Sequence, residues 1–187
     1  MIQRSTRQRR RRAVAALLCG ALALAAGAPV QAADDLELKV KAAFLFNFAK
    51  FVVWPEQKFE SAQAPVELCV AEPDPLGPAL DDAVRGKKIE SRPLAVRRVP
   101  WRLAEMKSCH LLYVAARDER MPAGLLDELA AAGVMVVHES GEAIPGGVVR
   151  LFLDERKMRI EINVAAAERA GLHISSQLMS VAQVVRR

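Results

Sequence analysis

Residues 39–55 (KVKAAFLFNFAKFVVWP) hold five of the chain's nine aromatic side chains, and they limit what the chain can fold into. Placed at about 100° per residue, Lys39, Asn47 and Lys50 fall on one narrow stripe; apart from Lys41, nearly everything else is apolar. A helix apolar around most of its circumference is either packed in a core or set in a membrane. Three lysines and an asparagine are a poor fit to a membrane span of about 20 apolar residues. The segment therefore reads as a core helix. Asp34, with Glu37 three residues on, reads as a capping-box variant at its start. Pro55 disfavours helical geometry at Trp54 and is expected to stop the run there. Each buried Phe or Trp contributes about 1.5–3 kcal/mol, so this helix is expected to dominate the stability of its domain.

The residues ahead of it carry a different signature. Residues 1–12 contain Arg4, Arg7 and Arg9 to Arg12 with no acidic residue, residues 13–28 are a small apolar run, and Val30-Gln31-Ala32 ends in small residues. A charged start, a short apolar stretch and a small-residue end describe a secretory signal peptide cleaved after Ala32. The apolar run, about 16 residues, is short for a retained anchor. Cys19 invites a lipoprotein reading, but Leu18 before it is too large for that processing. The run of arginines lacks the rest of a twin-arginine motif. The organisation is thus a signal peptide, 1–32, and one domain, 33–187.

Export changes the meaning of the charge. The chain carries 27 Lys and Arg against 22 Asp and Glu, but six of the arginines lie in residues 1–32. The remainder holds 21 basic and 22 acidic residues, so nucleic-acid binding loses its electrostatic support. With Cys19 removed, Cys69 and Cys109 remain. An even pair in an exported protein points to a disulfide rather than two free thiols.

Strand and helix patterns alternate after the first helix. Strands are expected at 66–71 (VELCVA), 93–99, 110–115 (HLLYVA) and 134–138 (VMVVH), with helices at 73–84, 101–107 and 122–132 between them. Gly133 marks a helix end, and 141–147 (GEAIPGG) reads as a loop. Segments 148–153 and 158–164 alternate with period two around a polar turn, as a hairpin does. A helix near 165–170 follows, then Ser175 as the cap of a helix through 185. The pattern describes an α/β fold: a single three-layer domain with a mostly parallel twisted sheet flanked by helices and an antiparallel hairpin at one edge. Right-handed crossovers place the first and third strands side by side, where Cys69 and Cys109 could meet. A bridge there would add roughly 2–4 kcal/mol.

Catalytic signatures are sparse. No pair among His110, His138 and His173 has metal-ligand spacing on one element, so no metal and no cofactor is expected. There is no Cys-X-X-Cys motif, and Ser175-Ser176 lacks a nucleophile elbow. His110, beside a core strand, reads as a hydrogen-bonded structural residue. The expectation is a protein that is not an enzyme. One polar set stands out. Arg159, Glu161 and Asn163 alternate with isoleucines, and His173 and Ser175 alternate with Leu172 and Ile174. Glu161, His173 and Ser175 would share an outward-facing patch, with Lys58 nearby. That patch is either the wet face of an edge hairpin or a recognition site for a partner or a small carboxylate or amine.

Several stretches occur in one order: KAAFLFNFAKFVVWP, VELCVAEPDPLG, Cys109-His110 leading HLLYVA, IPGGVVRLF, MRIEINVAAAERAGL and HISSQLMSVA. Together they resemble the YfiR family of exported proteins, also represented by HmsC, from about residue 38 to 184. The resemblance implies a periplasmic α/β domain, commonly a homodimer, without known catalytic activity. It implies binding to the periplasmic sensor region of an inner-membrane diguanylate cyclase, held inactive, with an outer-membrane lipoprotein able to sequester the repressor. Family members often carry cysteines at the positions of Cys69 and Cys109, in agreement with a bridge. Some carry a second pair close to 144–152, where this sequence has none, so regulation through a second bridge does not carry over. The alternative, from another class, is a periplasmic small-molecule-binding or sensor-accessory module.

Overall fold

The computed structural model describes residues 29–115, 124–139, 146–155 and 157–186. The expected signal peptide as far as residue 28 lies outside the described residues. So do most of the loop expected at 141–147 and the start of the helix expected at 122–132. Leu38–Arg187 forms one compact unit.

The aromatic segment belongs to α1, Pro29–Lys50. Ala42, Leu45, Phe48 and Ala49 are fully buried, whereas Lys39, Ala43, Asn47 and Lys50 are exposed, as the polar stripe requires. Both expected helix ends are corrected. The helix begins at Pro29, so Asp34 and Glu37 lie inside it rather than at its start. Proline is at home in a first turn, and the alanines after it extend the helix upstream. At the other end the helix stops at Lys50, ahead of Pro55. The β-branched pair of β1, Val52–Val53, pairs instead with β9, His173–Ile174, in an antiparallel ribbon.

The main sheet has the order β10-β8-β7-β6-β5-β2-β4-β3. Its strands are β2 Val66–Ala71, β3 Lys88–Ile89, β4 Arg92–Val99, β5 Leu111–Val114, β6 Met135–Glu139, β7 Val149–Asp154, β8 Lys157–Asn163 and β10 Gln183–Val185. Pairing is parallel except for β7 with β8 and β3 with β4. The expected strands and hairpin are present, and β2 lies beside β5. Two features at the sheet's ends were not foreseen. Lys88–Ile89 adds a short antiparallel strand. The helix expected from Ser175 to 185 is only one turn, α6 Ser176–Met179, after which Val184 and Val185 pair in parallel with β8. β-branched residues favour the strand, and the hairpin consequently lies one strand in from the edge.

The intervening helices are short: α2 Pro78–Val84, α3 Leu103–Lys107, α4 Leu125–Ala131 and α5 Val164–Arg169. α2 starts later than expected because Asp74 Oδ1 accepts from the backbone N–H of Leu76 (2.7 Å) and Gly77 (3.2 Å), holding 74–77 as a turn. Gly133, at φ +69°, ends α4 as expected. Its N–H donates to Ala130 and that of Val134 to Leu129, which satisfies the last carbonyls. The two arginines of β4 are both engaged. Arg97 reaches Glu105 and Ser108, and Arg98 reaches Asp74 and Asp81.

Strand alternation divides the core in two. Leu68, Leu111, Tyr113, Val137, Leu151 and Ile162 pack with α1, α2 and α5. Cys69, Leu112 and Val136 pack with α3 and α4 on the opposite face. Cys69 and Cys109 are bridged there, with Cα atoms 5.8 Å apart and both side chains fully buried.

Candidate functional site

Period-two alternation continues along the disulfide-bearing face and sets a polar row across three strands. His138 on β6 lies in register with Arg150 on β7, and Arg150 with Glu161 on β8. The Arg150 guanidinium donates to Glu161 Oε2 at 2.8 Å and lies 4.1 Å from the centre of the Phe152 ring. Glu161 is 4% exposed and His138 2%. Burial first, and then the charge of Arg150, push the His138 pKa down to about 4, although Glu161 pulls the other way. His138 is therefore neutral at ordinary pH. A buried pair of this kind is costly to break, which holds the row in one arrangement.

Lys58 sits in the 3-10 turn Glu56–Lys58, which follows Pro55. Its ammonium donates to the carbonyls of Lys107 (2.7 Å) and Ala132 (2.8 Å), at the ends of α3 and α4. A cation at helix C-termini is favourable, while burial brings the Lys58 pKa down to about 8. Its side chain lines two cavities. One, of about 400 Å³, is bordered by Pro55, Arg169 and Gly171. The other, of about 340 Å³, is bordered by Phe59, Glu67, Arg97 and His110.

His173 is exposed in β9, opposite Val53. Ser175 caps α6, its Oγ accepting from the Leu178 N–H at 3.3 Å. Of the four residues expected to share a patch, His173 and Ser175 are near neighbours along one stretch, whereas Lys58 is committed to two helix ends. Glu161 corrects the expectation directly: it is buried and ion-paired, because β10 borders its strand and Arg150 meets it from β7. Asn163, assigned to the same wet face, is buried too and caps α5, its Oδ1 accepting from the Ala166 N–H at 3.2 Å.

Sequence reasoning missed His138 and Arg150. The signal was present, since alternation within VMVVH and VVRLF puts both on the face that carries Glu161. His110 is a hydrogen-bonded residue beside a core strand, in keeping with its structural reading. Among the described residues no group of three or more His, Cys, Asp or Glu is placed to hold a metal ion. Among them too, no helix is long and apolar enough to cross a membrane.

Residues 38–183 match the family described as YfiR/HmsC-like. No curated protein matches the chain.

Proposed function

The chain belongs to the YfiR/HmsC-like family, and from that premise we propose that it is a periplasmic regulatory protein. It binds the periplasmic sensor region of an inner-membrane diguanylate cyclase, represses it, and so lowers cyclic di-GMP and biofilm formation. The observation that carries this reading is the family match across nearly all of the compact unit. The buried Cys69–Cys109 bridge supports it, since such bridges persist in oxidising compartments. Repression needs no chemistry. A protein that binds the inactive state of a two-state receptor better than the active one shifts its population. Self-association as a homodimer and capture by an outer-membrane lipoprotein belong to the same reading.

Deleting the gene tests it. Cyclic di-GMP and matrix should rise, re-expression of the full chain should restore low levels, and re-expression without residues 1–32 should not. A deletion that leaves cyclic di-GMP unchanged, in cells that express the protein, overturns the reading. Replacing the exposed His173 with Ala should weaken repression without lowering Tm if the stretch around Ser175 contacts the cyclase. The cavities beside Lys58 favour a second reading, a small-molecule-binding module. A pull-down from membranes separates the two, because only a repressor recovers a cyclase.

A further inference from the structure

The cavity that holds His110 contains two buried polar atoms of opposite kind for which the described residues supply no partner. The backbone of His110 is held on all sides. Its N–H donates to Glu67 O at 3.0 Å, and its carbonyl accepts from Met135 N–H at 2.8 Å and from Trp54 Nε1–H at 3.0 Å. The ring is held as well, with Nδ1 accepting from the Glu67 backbone N–H at 3.0 Å. A neutral imidazole that accepts at Nδ1 carries its proton on Nε2. That Nε2–H is buried and has no acceptor among the described residues. On the same cavity wall Glu67 Oε2 is buried and has no donor. Arg97 Nε stands 4.0 Å from it, beyond hydrogen-bond reach.

Buried groups without partners are rare and costly in folded proteins. A lone donor and a lone acceptor on one cavity call for a molecule that offers both. The cavity, about 340 Å³, falls within the range of about 300–1,000 Å³ typical of ligand sites. It is far larger than the roughly 30 Å³ share of a single water. Its charged lining is Lys58, Arg97 and Lys107 against Glu60 and Glu67, one positive charge in excess. Lys58 keeps a third ammonium proton beyond the two given to Lys107 and Ala132. The Phe59 ring centre lies 4.4 Å from that of the imidazole, and the Arg92 guanidinium lies 3.7 Å from the Phe59 ring centre. Nε2 and Oε2 are shielded from solvent in this arrangement, so a ligand reaches them only if a covering side chain such as Phe59 turns aside.

We propose that this cavity binds a small carboxylate that also carries a hydroxyl. The carboxylate accepts from His110 Nε2–H and the Lys58 ammonium, and the hydroxyl donates to Glu67 Oε2. A monoanion matches the single excess positive charge, which a zwitterion does not. The site is separate from the polar row of Glu161, and its test does not depend on any cyclase.

Calorimetric titration of the purified, disulfide-bonded protein with L-lactate, glycolate, acetate and glycine tests the site, alongside nitrogen-15 NMR of the His110 ring. L-lactate or glycolate should bind one to one and move the Nε2 resonance. Acetate, which lacks the donor, should bind about tenfold more weakly, the loss expected for one unpaired polar group. His110→Asn keeps an acceptor for the Glu67 N–H and removes the Nε2 donor, so affinity should fall by about tenfold or more with Tm retained. Glu67→Gln should narrow the preference for lactate over acetate. The proposal is overturned if none of the four probes binds, if the Nε2 resonance stays fixed at saturation, or if His110→Asn binds like the unaltered protein. A resonance that reports only a buried water overturns it equally. Tighter binding of glycine than of lactate would overturn the hydroxycarboxylate assignment.

Discussion

Beneath α1 the strands present Leu68, Leu111, Tyr113, Val137, Leu151 and Ile162, a largely apolar face. Its charge is at the margin, where Glu139 meets Lys41 of α1 (2.9 Å) and accepts from the Tyr113 hydroxyl (2.6 Å). On their other side the same strands present Cys69, Leu112 and Val136 under α3 and α4, and then His138, Arg150 and Glu161. The first face is stabilised mainly by area and fit, so at its centre it tolerates changes of shape better than it tolerates charge. The second depends on pairs: a sulfur with a sulfur, a guanidinium with a carboxylate, an imidazole kept neutral. Its stability is therefore conditional on redox state, and on pH at its centre, where the first face is conditional on pH only at its margins.

The hardest blow to that contrast falls on the apolar face. Phe48→Asp puts an unpaired charge where Phe48 is fully buried. It should cost more than about 4 kcal/mol and abolish soluble accumulation. Near-normal yield and Tm would mean that α1 is not a core helix. Next comes Glu161→Ala, which takes from Arg150 its carboxylate partner at 2.8 Å, at a site where the Arg150 side chain is 13% exposed. The expected loss is about 3–5 kcal/mol in chemical denaturation, and Arg150→Met in the same chain should recover much of it. A loss under about 1 kcal/mol would show that other groups satisfy Arg150 without Glu161.

Replacing Cys69 and Cys109 with Ser should cost about 2–4 kcal/mol, since the bridge closes a separation of 40 residues. Peptide mapping without reductant should recover Cys69 and Cys109 linked, and two alkylatable thiols in the folded protein would contradict the bridge. The smallest effect is the part of the acid sensitivity that comes from two buried histidines. His110 and His138 are both pushed down to about 4 by burial, from an ordinary value of 6.5. At His110 the charges of Lys58 and Arg92 add to that push. A depressed folded-state pKa means that the unfolded chain binds the proton more readily. The stabilisation is thus complete above pH 6.5 and is lost as pH falls toward 4. Tm should decline across that interval, and His110→Asn should flatten the decline. An unchanged slope would show that carboxylates alone set it.

Much of the fold was legible because it is written locally. VELCVA, HLLYVA and VMVVH are buried strands with apolar residues on both sides, and each forms a strand within a residue of its expected limits. The exposed stripe of α1 follows from its helical period alone. The neighbouring placement of β2 and β5, and with it the approach of Cys69 to Cys109, follows from crossover handedness. The site was less legible. Alternation correctly put Glu161 and Asn163 on the side opposite the isoleucines, but it could not say whether that side was wet. Gln183–Val185 reads as readily as helix or strand. Nothing local to it announces that its partner is the β8 segment near residue 162.

The sequence by itself determined the alternation of strands and helices, the core face of α1, the pairing of the cysteines and the family to which the chain belongs. These follow from backbone periodicity, short-range sterics and the order of motifs, all of which act along the chain. Only the tertiary structure decided that Glu161 is buried against Arg150, that Lys58 closes two helix ends, and that His110 and Glu67 face one cavity with a donor and an acceptor unanswered. Each of those facts depends on residues at least 11 positions apart being brought together: Glu161 and Arg150 are separated by 11, and Lys58 and Ala132 by 74. Burial is a property of what lies across the gap, and periodicity along one strand carries no information about the other side.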